Sequence, residues 1–213
     1  MEPLNYIKNA IITGKYKPGM RLTEEGIANE LNISRTPIRE ALKQLEADGL
    51  ITPIKRGMIV REFTKTDIKQ IYDLRALLES YAAAQAATYR TDEDINVMKS
   101  TNLKYRQIVE EMHENKDEVK LEEIIKANQQ FHEAILTASR NDYLKFHMSR
   151  VVVLPLVFRS FYWYNRDEIK RSLDIHETIL QAIINHETER AKIAMQEHIY
   201  LGRDHVLKHL SNY

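Results

Sequence analysis

The sequence predicts a mainly α protein: an N-terminal winged helix-turn-helix over residues 1–63, followed by an all-α helical bundle over residues 67–213. Two observations predict it. Three short helical patterns are followed by a pair of strand-like runs around Lys55-Arg56-Gly57, which is the element order of a winged helix-turn-helix. Of six glycines and five prolines, only Gly202 and Pro155 lie beyond Phe63, and helical periodicity then runs nearly unbroken to the C-terminus.

The first helix is expected over residues 4–13, ended by Gly14 and the Lys17-Pro18-Gly19 turn. A second begins near Thr23, places Ile27, Ala28 and Leu31 on one face, and stops at Asn32-Ile33. Ser34 is the expected N-cap of the third helix, where Pro37 is tolerated because first-turn amides lack helical partners. Ile38, Ala41, Leu42 and Leu45 form its apolar stripe, and Gly49 suits the left-handed position after its end. Leu50 to Ile54 and Met58 to Arg61 then read as a hairpin.

The second part divides into about six helices near residues 66–90, 92–115, 118–139, 141–163, 166–186 and 188–210. Thr66 and Thr91 are expected N-caps, and Asn141-Asp142 and Asn165 mark breaks.

Composition narrows the chemistry. The 213-residue chain has no cysteine, which excludes disulfides, thiolate catalysis and cysteine-based zinc sites. Its longest apolar stretch, Val151 to Phe158, is too short to span a bilayer, and no basic, apolar leader opens the chain, so a cytoplasmic protein with no membrane partner is expected. Lys plus Arg equals Asp plus Glu at 31 each, and residues 1–62 carry only 10 basic against 8 acidic side chains, so bulk charge does not identify a nucleic-acid partner.

Spacing does. The second helix of a helix-turn-helix enters the major groove by its first turns, where Ser34, Arg35, Thr36 and Arg39 fall. Arginine bonds guanine through two parallel hydrogen bonds, so Arg35 and Arg39 are the expected base readers. Lys55 and Arg56 at the hairpin tip would reach phosphate or an adjacent groove, with Gly57 permitting close backbone approach.

Residues 14–24 (GKYKPGMRLTE), 31–42 (LNISRTPIREAL) and 45–51 (LEADGLI) together resemble the N-terminal domain of GntR-family transcriptional regulators. The resemblance implies DNA contacts from Arg35, Thr36, Arg39 and Gly57, and binding as a homodimer to a short palindromic double-stranded operator. Glu25 departs from the pattern, since members often carry arginine there.

Three of the later helices each turn one histidine towards their apolar face. Asn128 and His132 interrupt the Leu121, Ile124, Ile125, Phe131, Ile135 stripe; His176 lies among Ile169, Leu173, Leu180 and Ile183; His198 follows Ala191, Ala194 and Met195. One inward histidine is ordinarily a core residue, but three with an amide suit Zn²⁺, Ni²⁺ or Mn²⁺. His147 and His205 can also be turned inward, so periodicity alone leaves the set open, whereas His113, His186 and His209 read as solvent-facing or terminal.

Residues 131–136 (FHEAIL), 176–183 (HETILQAI) and 195–198 (MQEH) extend the resemblance to the FadR-type branch, whose effector domain is the helical FCD domain. The resemblance implies a divalent metal held by Asn128, His132, His176 and His198, with asparagine standing where aspartate is usual. Arg75 has two readings: an inward guanidinium that binds an effector carboxylate, or a salt bridge to Glu79 four residues on. Phe158, Phe161, Tyr162, Trp163 and Tyr164 could line a pocket, a dimer surface or the core.

The expected function is that of a homodimeric transcriptional regulator, a repressor by the family's usual sense; the resemblance implies control by a small organic acid, such as a hydroxy acid or sugar acid, bound through the metal. It is not expected to be an enzyme, because no general base or nucleophile is placed beside the histidines. The rival readings are a metal-dependent enzyme joined to a DNA-binding head and a DNA-binding protein whose helical half only dimerises.

Overall fold

The computed structural model describes residues 2–112, 118–151 and 163–210, which form two compact units divided near Thr64. The first contains α1 (Pro3–Ile12), β1 (Arg21–Leu22), α2 (Glu24–Leu31), α3 (Arg35–Ala47), β2 (Ile51–Ile54) and β3 (Gly57–Val60). The second contains α4 (Lys65–Tyr89), α5 (Asp92–Glu111), α6 (Glu118–Ala138), α7 (Asp142–Val151), α8 (Arg166–Ile184) and α9 (Thr188–Leu210).

In the first unit the expected α3 stripe of Ile38, Ala41, Leu42 and Leu45 is buried, together with Ile7 and Ile11 of α1 and Ile27 of α2. Asn32 takes a left-handed conformation (φ 52°) that ends α2 sharply and allows α3 to start three residues later. Ser34 occupies the N-cap position, but its side chain makes no capping hydrogen bond. The sheet has the antiparallel order β1-β3-β2. Pro53 is tolerated because β2 is an edge strand. Strand β1 was not anticipated: two residues carry no periodicity, and they become a strand only through pairing Arg21 with Ile59 and Leu22 with Met58.

Glu30 ties this unit together. Lys15 Nζ lies 2.5 Å from its carboxylate, and the hydroxyls of Tyr6 and Tyr16 donate to it at 2.6 Å. The Lys15 ammonium, then Tyr16 and Tyr6, hold the Glu30 carboxyl down at about 2.

In the second unit α4 packs along α9, and Gly202 allows close approach, since a Cβ there would stand 3.4 Å from the Tyr72 ring. Helices α5 and α6 run antiparallel, tied by Arg140–Asp94 at one end and Lys120–Glu111 at the other. Thr91 and Asn165 both form capping boxes, with Asp94 and Glu168. Thr66 does not cap, because α4 already begins at Lys65. Arg90 donates to the carbonyls of Ile183 and Ile184, closing the end of α8. Among the described residues no helix is long and apolar enough to cross a membrane. The apolar stretch from Val151 lies outside the described residues after its first residue, as do His113, Phe158, Phe161 and Tyr162.

Candidate metal centre and nucleic-acid interface

Helical spacing on α6, α8 and α9 brings three imidazoles to one point. His198 Nε2 lies 3.2 Å from His176 Nε2 and 3.2 Å from His132 Nε2, and ligand atoms of all three lie within 4.8 Å of one another. Phe131 stacks on His176 at 4.2 Å, and the Tyr105 ring meets it edge-on at 5.7 Å, so the cluster is fixed by packing on an apolar wall. Asn128 is buried one turn before His132 on the same helix. His147, by contrast, is exposed on α7. His205 is buried in a separate group, stacked on Tyr164 at 3.9 Å.

Burial pushes His176 well below the ordinary histidine range, and burial with the neighbouring His132 takes His198 down to about 3. Both rings are therefore neutral near pH 7, the ligating form of imidazole.

Glu79 on α4 was not expected here. It lies with Oε2 2.5 Å from His132 Nδ1 and Oε1 2.9 Å from Arg75 Nε. Burial would raise this carboxyl, but Arg75 and His132 outweigh it and hold it at about 2. An ionised Glu79 can only accept, so His132 donates from Nδ1 and presents Nε2 towards His198. Carboxylate, histidine, cation is the order in which outer partners orient metal ligands. The arrangement fits a divalent cation, since three imidazoles offer ligand nitrogens within 4.8 Å of one another and two of the rings are held neutral.

Of the two readings of Arg75, the ion pair with Glu79 is present, and Arg75 is buried with its guanidinium 5.0 Å from the centre of the Tyr72 ring. Buried polar atoms elsewhere on these helices lack partners among the described residues, including both side-chain ends of Asn102 and Nδ1 of His176. The ion pairs that set the α5–α6 register put Asn102 at about the level of residues 128–132. Sequence periodicity does not single out Asn102, because one amide among Met98, Tyr105 and Val109 breaks a stripe without naming its purpose.

In the first unit Ser34, Arg35, Thr36 and Arg39 are all exposed at the start of α3. Lys55, Arg56 and Gly57 are exposed at the β2–β3 turn. Arg21 Nε donates to the Arg56 carbonyl at 2.7 Å. Gly57 has φ +99°, and a Cβ there would stand 2.5 Å from the Leu22 carbonyl oxygen, so the fold itself requires glycine at the wing tip. Arg35 and Arg39 both bond Glu24, the first residue of α2.

The profile of the FCD domain matches residues 70–201, and that of the bacterial regulatory proteins of the gntR family matches residues 4–60. The gluconate operon transcriptional repressor of Bacillus subtilis is 30% identical over 83% of this chain and 72% of its own length. The regulator YdhC of Bacillus subtilis is 28% identical over 98% of this chain and 89% of its own. Among solved structures, McbR/YncC of E. coli superposes with a TM-score of 0.80 at 24% identity, covering 98% of this chain and 96% of that one, a likeness of fold.

Proposed function

Because the chain belongs to the gntR family of bacterial regulatory proteins and is a DNA-binding transcriptional regulator with an FCD domain, we propose that it is a repressor released by a small carboxylate bound in a metal-containing helical domain. The observation that carries this reading is the meeting of three imidazoles at one point, backed by a carboxylate that fixes one of them. His132, His176 and His198 would hold the ion by Nε2, with the Asn128 oxygen as a fourth ligand. A cation held there supplies positive charge and open positions to an effector carboxylate. Zn²⁺, Ni²⁺ and Mn²⁺ all suit this donor set.

The Arg75 guanidinium, paired with Glu79 through Nε, lies buried in the same unit, and the unpartnered Asn102 amide offers a donor and an acceptor to a hydroxyl or second polar group. That combination favours hydroxy acids and sugar acids over simple fatty acids. The name of the gluconate operon repressor among the relatives points the same way. On the DNA side, Arg35 and Arg39 would read bases while Ser34, Thr36, Lys55, Arg56 and the Gly57 backbone fix the register, and two copies of the chain would bind a palindrome. Release requires the effector to bind the DNA-incompetent arrangement more tightly.

The test is elemental analysis of untagged protein, followed by affinity for a duplex selected from a random library, with and without gluconate, lactate and related acids. About one zinc, nickel or manganese per chain, and an acid that weakens binding, support the proposal. Absence of metal after reloading with each salt refutes the metal centre, and an unchanged affinity across the panel refutes carboxylate control.

A further inference from the structure

Glu24 accepts from Arg39 through both carboxylate oxygens, Nε at 2.9 Å and Nη2 at 3.0 Å, and from Arg35 Nη2 at 3.2 Å. We propose that Glu24 is a positioning residue for DNA reading: it fixes the Arg39 guanidinium with its outer edge presented to a base and holds Arg35 back from indiscriminate phosphate binding. The proposal rests on the assignment of these arginines to the DNA interface.

A guanidinium has five N–H groups in one plane. The side-on pair uses one from Nε and one from Nη2, which leaves Nη1 and the second Nη2 hydrogen as a parallel pair facing away from Glu24. That is the edge required for two hydrogen bonds to guanine O6 and N7. The Arg39 side chain is 52% exposed, so this edge is accessible. In water the pair contributes little. Against DNA, where solvent is displaced, the carboxylate strengthens its hold on the guanidinium and fixes its plane.

The carboxylate is itself well anchored. Thr23 caps α2 by accepting from the Gly26 amide at 3.0 Å, and Leu22 pairs with Met58 in the sheet. Arg21 grips the Arg56 carbonyl, and the Gly57 backbone lies against the Leu22 carbonyl. Residues 21–24 therefore join the wing, the start of α2 and the start of α3. The Arg39 guanidinium holds the Glu24 carboxyl below the usual carboxylate range, so the charge is present at neutral pH.

Sharing one negative charge between two arginines lowers the local positive charge by one. Nonspecific DNA affinity follows the number of neutralised phosphates, whereas specificity follows the geometry of base contacts. Glu24 lowers the first and raises the second.

The experiment uses full-length wild-type, Glu24→Gln, Glu24→Asp, Arg39→Ala and Glu24→Gln/Arg39→Ala proteins, the selected duplex, its single-base-pair variants and a scrambled duplex. Circular dichroism and thermal melting establish that each variant is folded. Glu24→Gln is expected to bind scrambled DNA more tightly, steepen the log-affinity against log-salt slope by about one, and lose about tenfold discrimination at the base pair read by Arg39. Glu24→Asp keeps the charge but shortens the reach, and is expected to lose discrimination without the steeper slope. Adding Glu24→Gln to Arg39→Ala should change nothing further at that base pair. Unaltered base preference in folded Glu24→Gln overturns the proposal. If Arg39→Ala also leaves every preference unaltered, the interface assignment fails beneath it.

Discussion

His132 donates its Nδ1 hydrogen to Glu79 across 2.5 Å, and the other oxygen of the same carboxylate binds Arg75, so one residue of α4 orients an imidazole of α6 and neutralises a buried guanidinium. Both partners of the ion pair are at least nine-tenths buried. Removing one member of such a pair leaves the other charge unsolvated, at a cost of about 3–5 kcal/mol. Glu79→Ala should therefore lower unfolding stability by about that amount. The Arg75→Met/Glu79→Leu double replacement should recover much of the loss, since it removes both charges together. Urea denaturation of the three proteins measures this, and a double variant no more stable than Glu79→Ala would contradict the ion-pair account.

The three imidazoles give a second expectation. Saturating zinc or nickel, at about a hundred times the dissociation constant, should stabilise the folded chain by about 2.7 kcal/mol, which for a protein of this size raises the melting temperature by about 5–10 °C. His176→Ala should abolish most of that rise. Binding to the selected duplex in the absence of metal should change much less, because His176 lies in the helical unit and the DNA-facing arginines do not. A melting temperature indifferent to metal in the wild-type protein counts against the centre.

Much of this was legible before any coordinates. The α3 stripe of Ile38, Ala41, Leu42 and Leu45 is a local pattern at helical spacing, as are the inward positions of His132, His176 and His198 on their own helices. What the spacing could not supply was which inward histidines meet: His205 has the same local signature yet packs on Tyr164, and His147 is exposed. Glu24, and the contact of Glu79 with His132, escaped for a related reason. Each glutamate is an ordinary acidic residue near a helix start or within a helix, and its role arises only when the fold brings Arg39 or His132, 15 or 53 positions away, within bonding distance. Strand β1 is the backbone counterpart, since two residues have no preference until β3 pairs with them.

Acid should act on the first unit through Glu30. Its carboxyl is held down at about 2 by Lys15, Tyr16 and Tyr6, against about 4.3 in an unfolded chain. A group depressed on folding contributes stability that is fully present above the unfolded value and is lost as pH falls through the folded one. Wild-type stability should thus decline from about pH 4.5 to 2, and Glu30→Gln should flatten that part of the curve while lowering stability at pH 7. Thermal melts across this range distinguish the two proteins; parallel curves would remove Glu30 from the explanation.

Asn102 offers the most direct separation of stability from sensing. Its amide oxygen and nitrogen are both buried without a partner among the described residues, on the face of α5 that lies level with Asn128 and His132. A buried amide with nothing to bond costs about 1–3 kcal/mol relative to a satisfied or apolar group. Retaining it makes physical sense if a polar ligand completes its bonds, because the same unmet donor and acceptor then favour a hydroxylated acid over an apolar one. Asn102→Leu keeps the branched shape and has no polar end, so it should stabilise the ligand-free protein by about 1–3 kcal/mol. It should also reduce the response of DNA binding to hydroxy acids while leaving metal content unchanged. Stabilisation with an undiminished response would reduce Asn102 to a packing defect, and destabilisation would mean that its amide is already satisfied in solution.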